Sequence, residues 1–149
     1  MLNRLIDLFA AKSAAPSAVD DAPFAVAGLL VEAARSDDHY TIIERKLIDR
    51  ALIREFNVAP ENAAAIRVRA ETAQADAADI YKFTKTAKNF TPEQKIALVE
   101  ALWRVILSDG HKSDWEDALV RRVCGLVYVS DRDSGLARQR VESELAAGR

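Results

Sequence analysis

Six residues of this 149-residue chain could do chemistry together: Asp37, His39 and Glu44 in one stretch, and Asp109, His111 and Glu116 in another. Both stretches share one spacing, and a constant offset of 72 residues, from Asp37 to Asp109, relates them. Carboxylate oxygens with imidazole nitrogens are the ligands of a hard or borderline divalent cation such as calcium, magnesium, manganese or zinc. Four carboxylates brought to one patch repel each other, and a bound cation relieves that repulsion. If the two stretches face each other, divalent-cation binding is the chemistry to expect.

The same glutamates fit a structural role. Thr41 with Glu44, and Ser113 with Glu116, have the S/T-x-x-E spacing of a capping box, in which the glutamate accepts the N-cap backbone N–H and needs no metal. Asp37 and Asp109 suit an ordinary helix–helix turn, Gly110 suits a left-handed turn position, and the histidines suit solvated loops. Spacing leaves both readings open. Other chemistries are excluded more firmly. Aspartate to glutamate spans too few residues for an EF-hand, and neither H-E-x-x-H, nor the Glu-x-x-His pair of a di-iron bundle, nor a phosphate-cradling glycine loop occurs. Cys124 falls on an apolar helical stripe, where it reads as core rather than nucleophile. The chain is therefore expected to be non-enzymatic, with no catalytic residue.

The elements that must position these residues are helices, because apolar residues recur at spacings of three and four from Phe24 onward and no alternating strand pattern appears. A first helix is expected over about 23–35, burying Val26, Leu29, Leu30 and Ala33. A second is expected over about 41–56, with Ile43, Leu47, Ile48, Ala51 and Leu52 as its stripe. A third opens at Pro60 and continues to about residue 75, and Asp76 can cap a fourth that packs through Ile80, Tyr81 and Phe83. Thr91 and Pro92 open a fifth, which carries Trp103. Ser113 opens a sixth, with Trp115, Leu119, Val120, Val123, Cys124 and Val127 along its stripe. A last helix, from about Asp133, has a weak packing stripe.

The offset of 72 also pairs Leu30 with Leu102, Leu47 with Leu119, Ile48 with Val120, Ala51 with Val123 and Leu52 with Cys124. Two related helix–loop–helix units, about 24–58 and 96–130, follow from this internal repeat. The fold class is all-α: a compact bundle of about seven helices, plus a short N-terminal helix.

Composition sets the remaining limits. A net charge of -2 supplies no general attraction to phosphate backbones, so nucleic acid is not an expected partner. One cysteine cannot form an internal disulfide, and the cytoplasm is the simplest compartment. Residues 1–12 are too short and too charged for a transmembrane span and read as an amphipathic helix through Leu2, Leu5, Ile6 and Phe9. An Ala/Ser/Pro linker follows over about 10–23. The domain organisation expected is thus 1–23 as amphipathic helix and linker, and 24–149 as helical domain.

The two Ser-Asp-x-His-x-x-x-x-Glu loops, with the stretch from Ala101 to Gly110 leading into the second, resemble the TerB-like family associated with tellurite resistance. The first loop has Asp38 where that family usually has glycine. The resemblance covers roughly residues 24–130. It implies an all-helical domain of about seven helices with an acidic, metal-binding face, built here by Asp37, Glu44, Asp109 and Glu116. It also implies a role in bacterial responses to tellurite and other stresses, within protein complexes that associate with the inner membrane, this chain being peripheral and held there through partners. A metal-independent adaptor, in which the glutamates are only helix caps, is the alternative.

Overall fold

The structure, a computed structural model, describes residues 18–36, 38–76, 80–108 and 114–148; the side chains of residues 18–21, 114 and 115 are outside that description. The expected amphipathic helix over 1–12 lies outside the described residues, as does most of the expected linker. Seven helices occupy the described residues: α1 (Ala18–Arg35), α2 (Ile42–Glu55), α3 (Pro60–Asp76), α4 (Tyr81–Ala87), α5 (Pro92–Leu107), α6 (Asp114–Val127) and α7 (Asp131–Ala147). The all-α expectation holds.

Helix α1 is the centre of the fold, packed against α2, α3, α4 and α5. From Ala25 to Ala34 it buries Val26, Leu29, Leu30, Val31 and Ala33, so apolar residues on every side meet a neighbour rather than forming one stripe. Each such side chain contributes roughly 1.5–3 kcal/mol for leucine- or valine-sized groups. Gly28 faces α4 so closely that a Cβ there would lie 2.4 Å from the Phe83 ring. The α1–α4 approach depends on that missing side chain.

Element bounds reproduce the duplication. Helices α2 and α6 have 14 residues each, and their first and last residues are related by the offset of 72; the ends of α1 and α5, Arg35 and Leu107, are related by it too. Thr91 caps α5 through a full capping box with Gln94, and Pro92 stands at the first helical position. The two units are not surrounded alike. Helices α3 and α4 cover α1, whereas α7 covers α5.

Several sequence expectations are corrected. Helix α1 runs over Ala18–Arg35, so Pro23 lies inside it rather than at the end of a linker. Asp76 ends α3 instead of capping α4, because an alanine-rich run of high helix propensity carries through to it. Tyr81 is 53% exposed, and α4 packs through Phe83, Thr84 and Ala87, with Ile80 buried at its N-cap. Ile43 is 66% exposed. It stands in the first turn of α2, where the stripe runs off the core into an open groove. Helix α7 begins at Asp131 under a Ser130 cap and buries Ser134, Ala137 and Val141, with Leu145 half-buried; the small Ser134 and Ala137 leave little apolar signal, and Ser134 meets Trp103 of α5. The Trp103 indole N–H donates to Ser134 Oγ at 3.3 Å, and the Arg138 guanidinium lies 5.0 Å from the indole centroid.

Candidate functional site

The two loops leave the ends of α1 and α5, which pack together, with the same local bonds. Ser36 Oγ donates to the Ala33 carbonyl at 2.7 Å, and Ser108 Oγ donates to the Val105 carbonyl at 2.7 Å, each pair being related by the offset of 72. A groove lined by Ile43, Leu107 and Ser108 joins the start of α2 to the end of α5. The end of α5 and the start of α2 therefore lie beside each other at one end of the bundle. Glu44 and Glu116 each occupy the third position of the following helix, and each is 4% exposed.

Glu44 closes a complete capping box. Thr41 N–H donates to Glu44 Oε1 at 2.8 Å, and the Glu44 N–H donates to Thr41 Oγ1 at 3.1 Å. The structural role foreseen for this glutamate is present. A carboxylate carries about four lone-pair positions over two oxygens, so capping through Oε1 does not exclude a second duty. Ser113, the expected cap of α6, lies outside the described residues.

The first loop is strapped to α3. Tyr40 donates its hydroxyl proton to Glu71 Oε2 at 2.5 Å, and the guanidinium groups of Arg35 and Arg45 lie 5.2 and 4.7 Å from the Tyr40 ring centroid. Arg67 joins the same cluster, donating to Glu71 at 2.9 Å and to Asp49 at 2.7 Å. Arg35 donates to the Glu71 carbonyl at 3.0 Å and to Gln74 Oε1 at 2.6 Å. Burial works to raise the Glu71 carboxyl, but hydrogen bonds from Tyr40 and Arg67 and the charges of Arg67 and Arg45 together hold it below the usual carboxylate range. Burial, then the bond to Glu71 and its charge, push the Tyr40 hydroxyl well up. Within the loop Asp38 has φ 64°, in the left-handed region that aspartate tolerates better than most residues.

Of the six candidates, Asp37, Asp109 and His111 lie outside the described residues. His39 is exposed on the first loop. Among the described residues no group of three or more His, Cys, Asp or Glu could hold a metal ion. The donor chemistry of the six, oxygen-rich with optional imidazole, fits a divalent cation; Glu44 and Glu116 are the members whose burial the structure fixes. Cys124 is buried, and burial pushes its thiol up despite a hydrogen bond with Ser134. A thiol in that state is a poor redox or nucleophilic centre.

A family model described as tellurite resistance protein TerB matches residues 23–139. The chain belongs to the TerB family. The match takes in all of α2 to α6 and both related units of the TerB domain, leaving residues 1–22 outside it. No curated protein and no solved structure matches the chain. TerB is a non-catalytic helical domain family, related to tellurite resistance. Among its described residues, this TerB chain has no helix long and apolar enough to cross a membrane.

Sequence reasoning missed Tyr40 and Asp49 and assigned no role to Arg67 or Glu71. The Arg67–Glu71 pair has the i, i+4 spacing of a helical ion pair and was visible in principle. Tyr40 meets Glu71 across 31 residues of sequence, and no local pattern announces such a contact.

Proposed function

We propose that this TerB domain is a non-enzymatic helical module that takes a divalent cation at its paired acidic loops and presents that face to a partner in a bacterial tellurite and stress-response complex. Asp37, Glu44, Asp109 and Glu116 would hold the cation, with His39 and His111 as optional ligands. The cytoplasm, at the inner membrane through partners, is the place such a complex would work. One observation carries the reading: Glu44 and Glu116 are buried to the same degree at equivalent positions of two units, and the end of α5 lies beside the start of α2. Equilibrium dialysis of chelator-stripped protein against calcium, magnesium, manganese and zinc tests it. Bound metal at a fixed ratio, lost in Asp37→Asn/Asp109→Asn, supports the reading; no retention of any of the four ends it.

A second reading is favoured by the Thr41–Glu44 capping box: a metal-independent interaction adaptor in which the glutamates only close helix ends. It expects the dialysis to return no metal.

A further inference from the structure

We propose that the groove between α2, α5 and the C-terminal end of α7 docks an amphipathic helix of a partner protein whose flank is acidic. The groove measures about 640 Å³. Its apolar side on α2 is Ile43, Leu47 and Ala51, at successive i, i+4 positions, with Ala101 and Leu107 opposite on α5. Three side chains at that spacing cover about 12 Å of helix, the reach of two turns of a partner helix laid alongside. The exposure of Ile43 is explained by this role, since an isoleucine two-thirds exposed contributes little to the fold itself.

Charge sets the character of the partner. Lys46, Arg50 and Arg54, all exposed, form a row at four-residue spacing beside the apolar residues, and among the described residues none of them has an ion-pair partner within 4 Å. The groove already accommodates two carboxylates of this chain, Glu55 and Glu144, beside Arg50, Arg54 and Arg104. Arg104 donates to Glu144 at 2.7 and 3.1 Å, and Arg104, Arg50 and Arg54 all act on that carboxylate to favour its charged form. Carboxylates on an incoming helix would meet Arg50 and Arg54 in the same way. Residues 1–12 carry Arg4 and Lys12 against a single Asp7, so this chain's own N-terminal stretch is a poor match for a basic row. A concave floor also suits a helix better than a flat bilayer. The proposal goes beyond the cation reading and does not depend on it.

A displayed library of 16-residue helical peptides, with leucine fixed at i, i+4 and i+8 and the flanking positions randomised, tests the assignment on the full chain. Selection should enrich Asp and Glu along one flank. The charge-reversed variant Arg50→Glu/Arg54→Glu should bind the selected peptides at least about tenfold more weakly in fluorescence anisotropy. Far-UV circular dichroism of the variant should match the parent, both arginines being exposed. Neutral or basic flanks, or unchanged affinity in the folded variant, would overturn the proposal. So would tighter binding of anionic phospholipid vesicles than of any peptide, or a concentration-dependent dimer abolished by the same variant.

Discussion

Glu44 and Glu116 stand 72 residues apart in sequence, each the third residue of a 14-residue helix and each 4% exposed. Buried carboxylates are expensive, and the first of this pair is seen to close a capping box. The chain holds its own control for that role. Gln94 closes the equivalent box with Thr91, its Oε1 accepting the Thr91 N–H at 2.9 Å. Glu44→Gln should therefore leave stability within about 0.5 kcal/mol, whereas Glu44→Ala should cost about 1–2 kcal/mol by urea denaturation. A cation at the loops adds a second effect, because the amide variant loses charge that the cation needs. Cation-induced stabilisation should then fall in Glu44→Gln although stability without metal does not.

The strap between Tyr40 and Glu71 should be measurable as both stability and pH dependence. Tyr40→Phe removes a hydrogen bond to a charged acceptor and should cost about 1.5 kcal/mol. Glu71 titrates below its ordinary value near 4.5 in the folded chain, so its contribution is complete above that pH and is lost as the pH falls through the lower, folded value. Thermal melts between pH 6 and pH 3 should show a steeper acid loss for the parent than for Glu71→Gln, which has no carboxyl to protonate. Equal slopes would remove Glu71 from the account.

Gly28 is held by the approach of Phe83, not by its backbone angles. Gly28→Ala would place a Cβ against the ring and should destabilise by about 1–3 kcal/mol, despite the better helix propensity of alanine. Adding Phe83→Leu should recover part of that loss. A Gly28→Ala variant as stable as the parent would mean that α1 and α4 are farther apart than described.

Asp38 occupies a left-handed conformation at the place where the second unit has Gly110. Asp38→Gly should leave stability unchanged or slightly raised, while Asp38→Val should cost about 1–2 kcal/mol, since a β-branched side chain is strained at positive φ. Denaturation of the three proteins in parallel gives the order directly.

The repeat was legible because its pattern is local: the spacing from Asp37 to Glu44 recurs from Asp109 to Glu116, and helix ends fall where the repeat places them. Thr91 and Pro92 marked α5 by chemistry that acts within one turn. What depends on distant neighbours was not legible. Ile43 continues an apolar stripe on α2, yet nothing in that stripe says that α5 ends at Leu107 and leaves the first turn uncovered. Ala137 and Val141 read as a weak packing stripe, because the large partner that α7 lies against, Trp103 bonded to Ser134, is 31 residues away in sequence. Of the candidate site, the Thr41–Glu44 cap was legible in the spacing, whereas the glutamates' burial and the Tyr40–Glu71 strap emerged only from the fold.

The central claim, a divalent cation at the paired loops, is tested most directly by thermal unfolding of chelator-stripped protein with and without millimolar calcium, magnesium, manganese or zinc. A ligand at about a hundred times its Kd adds about 2.7 kcal/mol to the native state, which for a chain of this size raises Tm by roughly 5–10 °C. The account predicts such a rise for at least one of the four cations and its disappearance in Asp37→Asn/Asp109→Asn. A flat response to all four would contradict it.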